Sequence, residues 1–284
     1  RLHYLETGST DPAYNLAFEE YVLTHRMDGD YLILWQNDNT VVVGQNQNTA
    51  AEINRAFVEA HGVHVVRRTT GGGAVYHDLG NLNYSFITDE EAGSLRLERF
   101  TAPVVDALAS LGLQAEASGR NDILVEGRKV SGTAQRVYKT RILHHGTLLF
   151  SSDLGVLDQI TTHRKNDCFQ SRGTQSAICT VTNIREHLAS PMTIEEFQDR
   201  LLEQMVPPGS PRLTLTAEQE AEVCRLRDEK YRSWEWTWGK TPAFTYEKSG
   251  VFHGAPIRVA YQAKRGIVSD AVIDCDAIDG ALAT

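Results

Sequence analysis

Three blocks of the sequence carry residue types that handle anions. The first is Arg67-Arg68-Thr69-Thr70-Gly71-Gly72-Gly73-Ala74-Val75-Tyr76-His77-Asp78. Three consecutive glycines let a backbone approach a ligand closely with its amide N–H groups exposed. The two arginines before them suit a carboxylate or a phosphate. The block is not a Walker loop, because no Gly-Lys-Ser/Thr follows and the next residues read as a strand. The second block runs from Gly119-Arg120-Asn121-Asp122 to Gly127-Arg128-Lys129-Val130-Ser131-Gly132. Lys129, flanked by small residues, is a point charge for phosphate oxygens, and Asp122 offers the hard oxygen that Mg²⁺ prefers. The third is His144-His145-Gly146-Thr147-Leu148. Neighbouring histidines on a strand point to opposite faces, so these two do not chelate one metal together. Each block also has a plain structural reading: a flexible hairpin beside a solvated arginine pair, a solvated lysine, a core or surface histidine. No Ser–His–Asp set is legible. Cys168 and Cys179 have basic neighbours that lower a thiol pKa, without any signature of a nucleophile.

The elements that must position these residues are partly legible. Asp11 and Pro12 open a helix over about 12–25, with Leu16, Ala17, Tyr21 and Thr24 on one face. Strands are expected at Tyr31–Trp35, Thr40–Gly44, Val63–Val66, Ala74–Tyr76, Asn83–Ile87, Ile123–Val125, Lys129–Gln135 and His145–Phe150. Thr49–Glu52 predicts one capped helix carrying Ile53 and Phe57 and stopping at Gly62. Further helices are expected at Arg99–Leu111 and after Thr193 and Thr216. The Glu126-Gly127 pair sits where a hairpin turn belongs. Thr161–Asn183 reads as a long polar loop. Trp234, Trp236 and Trp238 alternate with polar residues and are expected on one strand face, as an interdomain surface. Beyond a boundary near Pro242, residues 244–275 alternate like a meander turning at Lys264-Arg265-Gly266. Helices and strands interleave without a strict βαβ rhythm, which predicts a mixed α/β (α+β) fold.

Composition narrows the function. The 284 residues are 41% hydrophobic, enough for a buried core. The 28 basic and 37 acidic side chains give a formal net charge of −9, which disfavours nucleic acid as a main partner. No apolar run approaches the roughly 18 residues of a membrane helix. The four cysteines are scattered, without a Cys-x-x-Cys pair, and fit a reducing cytoplasm.

In combination the blocks are specific. The order Arg-Arg-x-x-Gly-Gly-Gly-Ala-Val-Tyr-His-Asp, then Gly-Arg-Asn-Asp, then Arg-Lys-Val-Ser-Gly, then His-His-Gly-Thr-Leu-Leu resembles the lipoate–protein ligase family. So do Asn15-Leu16-Ala17 with Glu19-Glu20, Trp35-Gln36-Asn37, and Trp234-Glu-Trp236 with Gly239-Lys240-x-Pro242. The resemblance implies a biotin/lipoyl protein ligase-like catalytic domain over residues 1–241. A small C-terminal domain over 242–284 is expected to be shortened, because the sequence ends at Thr284. It implies a monomeric enzyme that uses ATP and Mg²⁺ to convert lipoate to lipoyl-AMP. The lipoyl group then passes to a lysine of a carrier, an E2 subunit of a 2-oxoacid dehydrogenase complex or the glycine cleavage H protein. By the same resemblance Arg68, Gly73, Ala74, Val75, Tyr76, Asn121 and Lys129 bind nucleotide. Leu16, Glu19, Val43, Arg68, Thr70, Gly73, Val75, His77, Lys129 and His145 line the lipoate pocket. Lys129 is the catalytic cation, and Asp122 the expected Mg²⁺ ligand.

The sequence departs from the family pattern in its adenylate loop. Ile178 and Thr180 stand where the ligases carry two arginines. That keeps two other readings open: a lipoyl or octanoyl transferase using a preformed activated donor, and a binding module without catalysis.

Overall fold

Alternation along the strand Asp30–Trp35 divides the molecule into two cores. Leu32 and Leu34 point to one side, and Tyr31, Ile33 and Trp35 to the other. The computed structural model describes residues 1–90, 98–118, 122–162, 180–240, 246–252, 254–264 and 267–275. Its main sheet has the order Leu2–Glu6, Asp30–Trp35, Asn81–Asp89, Arg141–Leu149, Thr133–Tyr138, with the first pair parallel and the rest antiparallel. On one face the helices Glu98–Ser110 and Ile194–Met205 bury Val104, Leu108, Phe197 and Leu201 against Leu82, Tyr84 and Leu148. On the other face lies the helix Pro12–His25, capped by Asp11 through Ala13 N–H. A second sheet, His64–Arg67, Thr40–Val43 and Val75–His77, packs beyond it. The whole is the expected mixed α/β fold, and no helix among the described residues is long and apolar enough to cross a membrane.

The helix Pro12–His25 is not one-sided as expected. Eleven of its 14 residues are buried, so its polar side chains face protein on every side and each is engaged. Asn15 Nδ2 donates to Ser9 O, Gln36 O and Asn37 Oδ1. Glu20 accepts from Arg136, Lys230 and Tyr231. Burial alone raises its carboxyl pKa, but the Lys230 and Arg136 charges outweigh that and hold it below the usual value.

Three expectations need correction. The helix from Thr49 is two helices, Thr49–Glu52 capped by Asn48 and Arg55–Ala60 capped by Asn54, because extended Ile53 turns inward to the core. The strand expected over Lys129–Gln135 is two strands, Arg128–Ser131 in a small third sheet and Thr133–Tyr138 in the main one. The chain changes sheet at Gly132, where a Cβ would stand 3.2 Å from Lys129 Cε and Nζ. The tryptophan segment is helical, not extended, so residues two apart diverge. Trp236 packs towards the helix Pro12–His25, Trp238 lies under Arg55, and Trp234 is exposed. The Glu126-Gly127 turn is present, both residues having positive φ. Of the long polar loop expected over Thr161–Asn183, residues 163–179, with Cys168, Cys179 and Ile178, lie outside the described residues; the helix Val156–Ile160 precedes it. The meander is Tyr246–Phe252, Ala255–Lys264 and Ile267–Cys275.

His144 lies in the core, stacked on Phe100 at 4.7 Å with neither ring nitrogen hydrogen-bonded. Burial, with smaller contributions from His145 and Arg99, lowers its pKa to about 3. Below pH 6.5 the unfolded chain binds a proton that the folded chain does not, so stability falls as pH drops from 6.5 towards 3. His144→Phe is expected to flatten this acid limb by a few kcal/mol, at about 1.4 kcal/mol per pKa unit. Urea titrations at pH 7.5 and pH 5 measure it.

Candidate functional site

A cavity of about 320 Å³ lies between the two sheets and beside the helix Pro12–His25. Leu16, Trp35, Val42, Val75, Leu149, Leu154, Leu157 and Val181 give it a largely apolar wall, and Arg68, Lys129, His77 and His145 give it polar groups. Gly73, Ala74 and Tyr76 complete the side formed by the glycine block.

Buried Arg67 organises that side. It makes no ion pair among the described residues, and its guanidinium donates to backbone carbonyls of Gly44, Gln45, Gln47, Trp236 and Thr237 at 2.6–3.1 Å and to Thr49 Oγ1 at 2.8 Å. Burial lowers its pKa to about 10, so it stays charged at neutral pH. The result ties the loop after Thr40–Val43 to the Trp236–Thr237 turn. Trp236 Nε1 returns a bond to Arg67 O at 2.9 Å. Next to it, Arg68 faces the cavity. Its Nε donates to Thr70 Oγ1 at 3.1 Å, Nη1 to Val42 O at 3.3 Å and Nη2 to Gly71 O at 2.7 Å. The glycine block needs its glycines: a Cβ on Gly44 would stand 2.1 Å from Gly72 O, and Gly72 has φ 100°. Gly72 N–H donates to the Asp274 carboxylate at 2.6 Å.

Lys129 sits at the seam between sheets, its Nζ 3.1 Å from Asp122 Oδ1. Its backbone pairs with the segment leaving the long loop, Lys129 N to Thr180 O and Thr182 N to Lys129 O, both at 2.9 Å. Val181 is thereby brought to the cavity wall. Asp78 and Asn183 brace the wall at Ser152: Ser152 Oγ donates to Asp78 Oδ1 at 2.9 Å, and Ser152 N to Asn183 Oδ1 at 2.9 Å. His77 is fully buried. Asn37 Nδ2 at 3.1 Å and Asn83 Nδ2 at 3.4 Å face its Nδ1, which therefore accepts. Burial first, then Arg68 and His145, lower its pKa to about 3, so His77 stays neutral.

Three of the expected pocket residues do not line the cavity. Val43 faces the opposite way, into a core with Val41 and Ile53, and the pleat presents Val42 instead, across from Val75. Glu19 and Thr70 lie behind His145. Glu19 is 3.0 Å from His145 Nδ1, and Thr70 Oγ1 is 2.7 Å from His145 Nε2. Asn121 lies outside the described residues. The sequence reading missed Val42, Asp78, Ser152, Asn183 and Asp274, and it saw no acid–histidine–hydroxyl set where Glu19, His145 and Thr70 form one. Only the register of Thr40–Val43 against Val75–His77 distinguishes Val42 from Val43, and the others act through distant contacts without a local pattern.

A family model described as the lipoyl protein ligase A/B catalytic domain matches residues 11–206. The chain belongs to this family. It is 41% identical to lipoate-protein ligase LplJ of Bacillus subtilis over 271 residues, covering 93% of this chain and 81% of that one. It is 40% identical to lipoate–protein ligase 1 of Staphylococcus aureus, with the same coverages. Among solved structures, a bipartite lipoate protein ligase from Thermoplasma acidophilum, described with its E2 lipoyl domain, superposes with a TM-score of 0.72. It shares 27% identity over 87% of this chain and 98% of that chain. Lipoate-protein ligase A bound with ATP gives a TM-score of 0.68 at 27% identity, covering 84% and 98%. The protein is thus an enzyme of the lipoate–protein ligase family. In this ligase fold the Arg67 contacts bind three separate segments into one wall. Arg67→Met leaves several buried carbonyls without donors and is expected to cost about 3 kcal/mol or more. Urea denaturation measures the loss.

Proposed function

We propose that this enzyme activates lipoate with ATP to give lipoyl-adenylate and pyrophosphate, then transfers the lipoyl group to a lysine of a carrier domain. The observation that carries the reading is an apolar cavity with two cations, Arg68 and Lys129, on its wall. The apolar wall accommodates the lipoyl tail. The first step joins two anions, a carboxylate and a triphosphate, and the cations offset their repulsion and align them. A carboxylate oxygen attacks the α-phosphorus and the bond to pyrophosphate breaks. The Gly72 N–H, which donates to a carboxylate in this structure, supports an anion-binding role for the glycine block. Arg68, Gly73, Ala74, Val75, Tyr76, Asn121 and Lys129 are the proposed nucleotide contacts. Leu16, Val42, Arg68, Gly73, Val75, His77, Lys129 and His145 are the proposed lipoate contacts.

Mg²⁺, when bound, supplies further neutralisation of phosphate charge. Asp122 fits an arrangement in which the protein gives one or two carboxylates and substrate phosphates complete the shell. Among the described residues no group of three or more acidic, histidine or cysteine side chains is placed to hold a metal ion alone. In the second step the carrier amine attacks the acyl carbonyl and AMP leaves, so the enzyme provides no nucleophile of its own. E2 lipoyl domains and the glycine cleavage H protein are the proposed carriers, a monomer the proposed state and the cytoplasm the proposed location. The division into 1–241 and 242–284 remains the proposed domain layout.

A second reading, transfer from a preformed activated donor, draws on Thr180. Its carbonyl binds Lys129 N–H, so the neutral residue stands close to the reaction centre where the ligases have arginine.

Pyrophosphate release with lipoate and Mg-ATP, without carrier, is expected and decides between the two. Transfer from synthetic lipoyl-adenylate without pyrophosphate release would put the second reading in place of the first. Lys129→Ala is expected to lower both half-reactions by about a hundredfold or more, measured as pyrophosphate release and as lipoylation of a carrier domain. A Cβ at Gly73 meets no atom within 4 Å and Gly73 lines the cavity. Gly73→Val is therefore expected to leave the melting temperature nearly unchanged and to abolish lipoate binding by calorimetry.

A further inference from the structure

Glu19, His145 and Thr70 have the arrangement of a hydrolytic triad: carboxylate to Nδ1 at 3.0 Å, and hydroxyl to Nε2 at 2.7 Å. Such a set makes a nucleophile only where the hydroxyl reaches the reacting atom. Thr70 is fully buried and is not on the cavity wall, and its oxygen already accepts from Arg68 Nε. The set therefore has another use.

The direction of each bond follows from the donors. Arg68 Nε–H only donates, so Thr70 Oγ1 accepts it. The single Thr70 hydroxyl hydrogen then goes to His145 Nε2, which must carry a lone pair. The His145 proton lies on Nδ1 and points at Glu19. A proton on Nε2 would leave the buried Thr70 hydroxyl hydrogen without an acceptor among its described partners, at the cost of an unmade buried hydrogen bond. Glu19 is held in turn by Ser85 Oγ, and Ser85 Oγ accepts from Trp35 Nε1 at 2.8 Å. Two donor series, Trp35–Ser85 and Arg68–Thr70–His145, thus converge on the Glu19 carboxylate.

We propose that Glu19, His145 and Thr70 are positioning residues that aim the Arg68 guanidinium at the substrate anion. The Val42 and Gly71 carbonyls hold the Nη groups, and Thr70 holds Nε, so the three together set the plane of the fork. A planar fork discriminates by orientation. Without Thr70 the guanidinium keeps its charge and its carbonyl contacts and loses its aim. The proposal rests on the reading of Arg68 as an anion ligand in lipoate activation.

Two measurements test it. Long-range ¹⁵N NMR of the wild-type protein is expected to show His145 as the Nδ1–H tautomer. An Nε2–H tautomer or an imidazolium overturns the relay whatever any variant does. Lipoate binding by calorimetry is then compared for wild type, Thr70→Val and Thr70→Ser. Valine keeps the shape and removes the hydroxyl, and is expected to raise the lipoate Kd at least about tenfold, while serine restores it to within about twofold. Thr70→Val binding as tightly as wild type, or Thr70→Ser as weak as Thr70→Val, overturns the proposal. Absence of lipoate binding by the wild type would instead overturn the functional reading on which the proposal rests, while the tautomer still tests the relay by itself.

Discussion

The site depends on a buried cation bound almost entirely by main-chain carbonyls. Arg67 has no exposed surface, and its partners are five carbonyls and one threonine hydroxyl from two segments far apart in sequence. A guanidinium presents five donors in a fixed plane, so it satisfies several carbonyls at once where a lysine satisfies fewer. It thereby closes the loop Gly44–Gln47 against the glycine block and anchors the Trp236–Thr237 turn. A carboxylate partner would neutralise the charge but would not bring these backbones together. The neighbouring Arg68, one residue past the end of the strand His64–Arg67, is held on the cavity side.

From that wall the chemistry follows by placement. The cavity combines apolar side chains with Arg68 and Lys129, and burial keeps His77 neutral within it. In such a site charge on a ligand is compensated chiefly by the two cations and by amide dipoles, where electrostatic interactions exceed their strength in water. Lys129 lies where the chain leaves one sheet for another at Gly132, and its ammonium pairs with Asp122. The Asp274 carboxylate on the Gly72 amide brings the C-terminal meander against the glycine block, and Arg258 Nη2 on Asn46 O at 2.7 Å brings it against the loop after Thr40–Val43.

The helix Pro12–His25 links the two halves of the molecule. Its apolar residues fill the core under the main sheet, Leu16 reaches the cavity, and Glu19 and Glu20 engage partners on four other elements. A helix with so many buried polar groups is stable here because most of them have hydrogen-bond partners, Asn15 Oδ1 being left without one. For its two carboxylates the local sequence gives no hint of this, since the side chains that hold Glu19 and Glu20 lie 66 to 211 residues away.

Local signals determined much of this protein. Asp11-Pro12 set the start of the first helix, and Glu126-Gly127 set a tight hairpin. Short apolar runs rich in β-branched and aromatic residues located most strands, because these features are decided by dihedral preference and by neighbours within a few residues. The motif blocks carried the family and the positions of Arg68, Gly73, His77, Lys129 and His145 on one cavity. Tertiary structure alone decided the rest. Whether Val42 or Val43 faces the cavity depends on which edge of Thr40–Val43 meets Val75–His77. Whether Lys129–Gln135 is one strand or two depends on two sheets meeting at Gly132. The helical form of the tryptophan segment goes with tertiary contacts, its carbonyls at 236 and 237 accepting from Arg67. Glu19 and Thr70 became a layer behind the wall, because His145 reaches between them from a strand more than seventy residues downstream. Long-range contacts set these outcomes, and their energies do not appear in any short stretch of the chain.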